Sequence, residues 1–388
     1  MKKTYSFDEI INRKGSNCVK YDLLDKLYGD SDLLPMWVAD MDFKTPDFII
    51  QAIEDRLKHP ILGYSIRPEY FTESVVQWMK KRHNYSIDPE WVVFTPGIVP
   101  ALNIAVLSLT QAGEEIIVQP PVYFPFFSAV TDHGRIMSEN QLKTENGEMK
   151  INFGSLNKNA KMLLLSSPHN PGGMIWSKKD LKKLAEFCLT NNITIVSDEI
   201  HSDLMLFGNK HLPTASISPE IENITITCIA PSKTFNIAGL SSSVVIISNR
   251  EMREKFTKTL NSLHIGMGNI FGNVALEAAY TKGEQWLAEL IDYLEENINF
   301  AINFFEAKIP QIKVIKPQAT YMLWLDCRGL GMSNKDMRKF FTDNCNLALS
   351  DGRQFGRGGE GFQRLNLACP KSILETALES IYNNLKQK

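Results

Sequence analysis

Met162-Leu163-Leu164-Leu165, then Ser177-Lys178-Lys179-Asp180-Leu181-Lys182-Lys183-Leu184-Ala185-Glu186-Phe187-Cys188-Leu189, then Ile193-Thr194-Ile195-Val196-Ser197-Asp198, decides the fold. The first run is short and apolar, as expected of a strand buried on both faces. Ser177 and Asp180 form a capping box that opens a helix. Leu181, Leu184, Ala185, Cys188 and Leu189 recur at the spacing of one buried helical stripe. A second apolar strand follows and ends at Asp198. Strand, helix, strand in that order implies a largely parallel sheet covered by helices on both faces.

The same rhythm continues outward. Helices are expected from about Asp47 to His59 and from about Glu69 to Lys81. Trp91-Val92-Val93-Phe94 reads as a strand ending at Thr95-Pro96-Gly97, followed by a helix with Ile98, Leu102, Ala105, Val106 and Leu109 on one side. Glu115–Val118, Ile224–Ile229 and Ser243–Ile247 read as further strands. A long helix from about Gly283 to Lys308 reads as the hinge between two units. Beyond it come strands at Ile312–Ile315, Tyr321–Asp326 and Leu347–Leu349, and helices after the capping boxes at Ser333 and Ser372. The expected division is an N-terminal arm with part of the small domain (1–50), a large domain (51–285) and a small α+β domain (286–388).

The 388 residues, 44% hydrophobic and 22% charged, suit a globular chain of more than one domain. A net charge of -2 argues against nucleic acid as the main partner. No apolar run approaches the ~18–20 residues of a membrane span, and the start lacks a secretory signal. Six cysteines without a C-x-x-C pair point to reduced thiols in the cytoplasm. Scattered histidines point away from a metal site. Gly356-Arg357-Gly358-Gly359-Glu360-Gly361 matches G-x-G-x-x-G but precedes a strand, not a helix, so it reads as a mobile loop. Asp40 and Asp42 read as turn residues or helix caps in preference to an acid/base pair.

Ligands gather beyond the carboxyl ends of strands in such sheets. Gly97, Asn170 and Asp198 lie at such ends, and Lys233 follows one in Ile229-Ala230-Pro231-Ser232-Lys233-Thr234-Phe235-Asn236-Ile237-Ala238-Gly239-Leu240. A buried lysine can form a Schiff base with an aldehyde cofactor. A carboxylate such as Asp198 can keep the pyridine nitrogen of pyridoxal phosphate (PLP) protonated. An aromatic ring such as Tyr123 can stack on it, and a strand–glycine–helix junction at Gly97 can hold the phosphate.

Asn170-Pro171-Gly172-Gly173, Asp198-Glu199-Ile200-His201 and Ser232-Lys233, followed by Gly239, resemble the signature of fold-type I PLP enzymes, the aspartate aminotransferase superfamily. With Trp37-Val38-Ala39-Asp40-Met41-Asp42-Phe43 and Pro168-His169-Asn170-Pro171, the chain resembles more narrowly the cystathionine β-lyase (C–S lyase) branch, the MalY/PatB type. The resemblance implies an α/β fold with a mostly parallel seven-stranded sheet and a smaller α+β domain. It implies that Lys233 carries the cofactor and moves the α-proton, with Tyr123 stacked on the ring among the catalytic groups. Asp198 would pair with the ring nitrogen. Asn170 and His201 would serve the phenolic oxygen, and Gly97, Ile98 and Ser232 the phosphate. Tyr64 would reach the phosphate of a partner subunit in a homodimer. Arg364 would clamp the substrate carboxylate, helped by the backbone near Ala39. The implied reaction is α,β-elimination of cystathionine and other cysteine S-conjugates. An aminotransferase is the nearest rival, and some members of the branch also contact a regulator protein. Two positions depart from the common aminotransferase pattern: His201 stands where many have tyrosine, and Ser241 where many have a phosphate-binding arginine.

Overall fold

The computed structural model describes residues 4–145 and 148–386. Seven strands form its main sheet: β1 (Val92–Thr95), β2 (Glu115–Val118), β3 (Ile136–Glu139), β4 (Met162–Ser166), β5 (Thr194–Asp198), β6 (Thr225–Ile229) and β7 (Ser243–Ile246). Their order is β1-β7-β6-β5-β4-β2-β3. Only β7 runs antiparallel to its neighbours. This is the mostly parallel seven-stranded sheet that the resemblance implied.

The alternation of side chains along β4 shows how both faces are covered. Met162 and Leu164 face a core shared with helix α1 (Ile98–Leu109) and helix α2 (Arg250–Ser262). Leu163 and Leu165 face the opposite core, with Leu181, Leu184 and Cys188 of the helix Lys178–Thr190. Ser177 caps that helix through its hydroxyl, which accepts from the Asp180 N–H at 3.0 Å. Each fully buried leucine in these layers contributes roughly 1.5–3 kcal/mol.

A second, antiparallel sheet is built from Lys313–Ile315, Met322–Asp326, Phe362–Asn366 and Ser350–Asp351, in that spatial order. The long helix Glu284–Lys308 reaches it by side-chain bonds, with the Asn297 amide donating to the carbonyls of Leu367 and Cys369. Among the described residues no helix is long and apolar enough to cross a membrane.

Several local expectations are corrected. The helix Lys371–Lys386 begins right after Pro370, so Ser372 lies inside it and does not cap it. Proline cannot donate to a preceding turn, and that sets the boundary. The expected strand at Leu347–Leu349 is only Leu347–Ala348, and it pairs in parallel with Leu34–Pro35 of the N-terminal arm. The helix Ile270–Lys282 was not legible, because apolar residues surround it on nearly all sides.

The segment 356–361, expected as a mobile loop, is packed. Phe355 beside it is buried against Trp324, and Gly352 and Gly359 approach each other backbone to backbone. A Cβ on Gly359 would lie 1.9 Å from the Gly352 carbonyl oxygen. Gly359→Ala is therefore expected to cost roughly 1–3 kcal/mol, the range for overpacking a tight contact. A lowered Tm in a thermal melt checks this.

Candidate active site

Three adjacent strands end at the same place. β4 leads into Ser167–Asn170, β5 stops at Asp198, and β6 leads into a short helical turn, Pro231–Thr234, that carries Lys233. Because β7 runs back beside β6, the segment joining them must turn over the carboxyl edge of the sheet, and Lys233 stands in that turn. Gly97 precedes α1 at φ +132°, a conformation open to glycine, and its N–H donates to Ser243 Oγ at 3.0 Å.

Most of the expected residues meet in one cavity of about 190 Å³. Lys233, Asp198, Asn170, His201 and Tyr123 line it, as do Gly97, Ile98, Ser232 and Ala39. Ser241, at the position where many relatives of the pattern have a phosphate-binding arginine, lines it too, with Ser166 and Ser242, which the sequence did not point to. Ser241, at φ +46°, occupies the left-handed region where the chain departs from the arginine pattern. A wider cavity of about 710 Å³ shares Ala39, Tyr123 and Lys233 with the first and adds Arg364, Tyr28 and Trp37. Tyr64 is not brought to either. It is 97% exposed on this chain.

Asp198, His201 and Arg364 are buried, and Lys233 is half-buried where it lines both cavities. Lys233 donates from Nζ to the Ala39 carbonyl at 2.7 Å. Burial lowers its pKa to about 8, partly opposed by the carboxylates of Asp40 and Asp198 and assisted by the Arg364 charge. Burial raises the Asp198 pKa to about 7 against the Ile200 N–H, which donates to it at 3.1 Å. The His201 pKa falls to about 3 through burial and the nearby cations Lys233 and Arg364. Arg364 is pushed down to about 10 by burial. Its Nη1 donates to Asn170 Oδ1 at 2.9 Å and its Nη2 to the Trp37 carbonyl at 2.8 Å, while its guanidinium lies over the Phe355 ring.

These residues fit PLP on a direct observation. Three buried polar atoms, His201 Nδ1, Ser242 Oγ and Arg364 Nε, have no hydrogen-bond partner among the described residues, and the first two belong to residues lining the smaller cavity. Buried polar atoms are rarely left so. The Asp198 carboxylate faces the cavity with one backbone N–H and no bonded cation. A cationic ring nitrogen answers that carboxylate, and a phosphate answers the hydroxyls and the start of α1.

Asp40 and Asp42 are neither caps nor a free acid/base pair. Arg13 bonds both, at 2.7 Å to Asp40 Oδ2 and 2.6 Å to Asp42 Oδ1, and Lys20 bonds Asp42 Oδ2 at 2.6 Å. Carboxylates in an apolar surrounding need cations, and these come from an arm too distant in sequence for spacing to reveal. Tyr321 and Asn236 were also missed. The Tyr321 hydroxyl donates to the same Ala39 carbonyl at 3.0 Å, and the Asn236 amide bonds the backbone at Met41 and Phe43. Asn236 stood in the quoted lysine stretch. A polar amide three residues after the lysine was the available signal.

The family model for aminotransferase class I and II matches residues 31–381. The chain belongs to the aminotransferase class I and II family. Cystathionine β-lyase PatB of Bacillus subtilis (strain 168) is 44% identical over 381 residues, which are 97% of this chain and 98% of that protein. Among solved structures, cystalysin from Treponema denticola, which contains pyridoxal 5'-phosphate, superposes with a TM-score of 0.95 at 37% identity, covering 99% of each chain. A PLP-bound protein of Clostridium difficile 630, provisionally named an aminotransferase, gives a TM-score of 0.97 at 44% identity over 98% of this chain and 100% of that one. The family therefore holds proteins named for both lyase and aminotransferase chemistry.

As a class I and II family site kept free of cofactor, this one holds Asp198 at a cost that depends on pH. Its folded pKa lies above the ordinary carboxylate value, so the proton it keeps stabilises the fold fully below about pH 4. That contribution is lost as pH rises through about 7. Asp198→Asn is therefore expected to raise the Tm of the cofactor-free chain at pH 8, with the gain vanishing near pH 4, while weakening cofactor binding. Melts at the two pH values and an absorbance titration with PLP check both halves.

Proposed function

We propose that the chain is a PLP-dependent carbon–sulfur lyase. It cleaves L-cystathionine and other cysteine S-conjugates by α,β-elimination to a thiol (homocysteine from cystathionine), pyruvate and ammonia. The observation that carries this reading is the half-buried Lys233 amine, held by the Ala39 carbonyl, which lines one cavity with Asp198 and also a second one wide enough for a thioether side chain. The 44% identical relative named cystathionine β-lyase supports the substrate class.

Bound PLP supplies an electron sink for the charge that develops as the Cα proton leaves. The residues of this chain do the rest. Lys233 anchors the cofactor, then takes the Cα proton, and its lowered pKa leaves a usable share of free amine near neutral pH. Asp198 would hold the proton at the ring nitrogen, and Tyr123 would pack against the ring. Asn170 and His201 serve the phenolic oxygen. Ser232, Gly97 and Ile98 hold the phosphate, joined by Ser241 and Ser242 where many relatives use arginine. Arg364 keeps Nε free for the substrate carboxylate, its other nitrogens being fixed by Asn170 and Trp37. Tyr28, Trp37, Phe341, Leu347 and Leu349 line the space into which the sulfur substituent extends.

A second copy of the chain completes the site. Tyr64 and Ile66 are 97% and 85% exposed, beside the exposed Leu263 and Met267. Arg67 ties the two segments together by donating to the carbonyls of Gly266 and Met267. An apolar, aromatic patch of this kind suits a homodimer interface, with Tyr64 entering the partner's phosphate pocket.

The second reading is an aminotransferase, favoured by the provisional name of the Clostridium difficile relative. Pyruvate and homocysteine formed from cystathionine without added keto acid are the expected products of the lyase. Turnover that depends on a keto acid, leaving pyridoxamine phosphate, sinks it. Lys233→Ala is expected to lower kcat/KM by at least about 1,000-fold, since both anchor and proton carrier are lost. Mixing Lys233→Ala chains with Tyr64→Ala chains tests the dimer. If Tyr64 serves its partner, one intact site forms in each mixed dimer, and activity recovers to about a quarter of the parent value. No recovery assigns Tyr64 to its own chain or to neither.

A further inference from the structure

The segment Met36–Asp42 runs between the two halves of the site, and every carbonyl from Met36 to Met41 accepts a hydrogen bond. Asn366 serves three of them, donating to Met36 from its backbone N–H and to Val38 and Asp40 from its side-chain amide, the latter two at 2.6 Å. Trp37 serves Arg364, and Ala39 serves Lys233 and Tyr321. Met41 serves Asn236 and Arg13. Alternate carbonyls, those of Trp37 and Ala39, therefore face the substrate-binding arginine and the reactive lysine. A shift of this strap moves both contacts together.

The strap is fixed from its outer side by charge. Arg13 forms a fork with Asp40, at 3.1 and 2.7 Å, and reaches Asp42 at 2.6 Å. Lys20 sits 1% exposed at 2.6 Å from Asp42 and 3.7 Å from Asp40. Two carboxylates meet two cations here, so the cluster is close to neutral. None of its four side chains lines the cavity that holds Lys233 and Asp198. A bidentate arginine contact fixes orientation as well as distance. Burying such a cluster is weak evidence for stability but suits geometric specification. We infer that Arg13 and Asp40 are positioning residues, a clamp that aims the Ala39 carbonyl at Lys233 and the Trp37 carbonyl at Arg364. The inference rests on Lys233 as the working amine, whatever reaction that amine serves. Asp40 also supplies the leading charge that favours protonated Lys233.

The test is the charge-balanced double variant Arg13→Met/Asp40→Asn, which removes one cation and one anion and leaves the buried Lys20–Asp42 pair in place. Two quantities are read. One is kcat/KM per cofactor-loaded site. The other is the rate at which formaldehyde and cyanoborohydride methylate Lys233 in the cofactor-free chain, followed by peptide mass against the exposed Lys282. Positioning predicts a freer lysine that is less productive. Lys233 is methylated several-fold faster while kcat/KM falls roughly tenfold, the scale of a modest misplacement of a reacting group. A parental kcat/KM overturns the inference, whatever the labelling does, because the clamp then acts only through its charge or on stability. A fall in kcat/KM with parental labelling also overturns it, because the loss then lies elsewhere. Should the double variant not fold, Arg13→Lys is read by the same two quantities. The same paired change, in smaller degree, upholds the inference, and any other pattern overturns it. The labelling needs no cofactor, so it stays informative even if the chain proves not to be a lyase.

Discussion

The structure turns on the hydrogen bond from Lys233 Nζ to the Ala39 carbonyl. An amine half-buried at the bottom of a cleft still needs a partner, and a carboxylate would have held it as a fixed cation. A neutral carbonyl satisfies it without binding its proton so firmly. The neighbouring charges then act at a distance: Asp40 and Asp198 hold the proton on, and burial and Arg364 drive it off. The amine is thus poised by a balance of longer-range effects rather than by one ion pair.

The same economy governs the rest of the site. Asp198, His201 and Arg364 are all buried, yet each keeps capacity that the protein leaves unused. Structural charges elsewhere are treated differently. Glu199 is bonded by His211 and Ser197, and Asp203 by His83, Trp78 and Thr234. Of these two satisfied carboxylates, Glu199 lies within the Asp198–His201 turn and Asp203 just beyond it. Asp203 also grips Thr234, the residue after the lysine. Saturated groups make the frame, and unsaturated groups make the site.

The sheet was legible because its strands are short apolar runs and its helices are amphipathic, as in Met162–Asp198. The chemistry was legible because Asn170, Asp198 and Lys233 each follow a strand end within a recognisable local string. What stayed hidden involves partners far apart in sequence. Nothing near Asp40 and Asp42 announces Arg13 and Lys20, and nothing near Tyr321 announces Ala39. Local periodicity also fails where a helix such as Ile270–Lys282 is apolar on most sides. Tyr64 reads as a site residue only through family resemblance. Its own surroundings on one chain are solvent.

The strap has a consequence for the order in which the protein is made. Its carbonyls are satisfied by Arg364 and Asn366, over three hundred residues later, while Leu34–Pro35 pairs with Leu347–Ala348. During synthesis those early residues emerge long before their partners exist. Until the strand Phe362–Asn366 has left the ribosome, the strap lacks the contacts from Arg364 and Asn366 that fix the carbonyls on either side of Ala39. Contacts of such long span are also slow to form. A chain stalled before Arg364 and Asn366 therefore carries the lysine without its aim, and the strap is set only once those residues have been added.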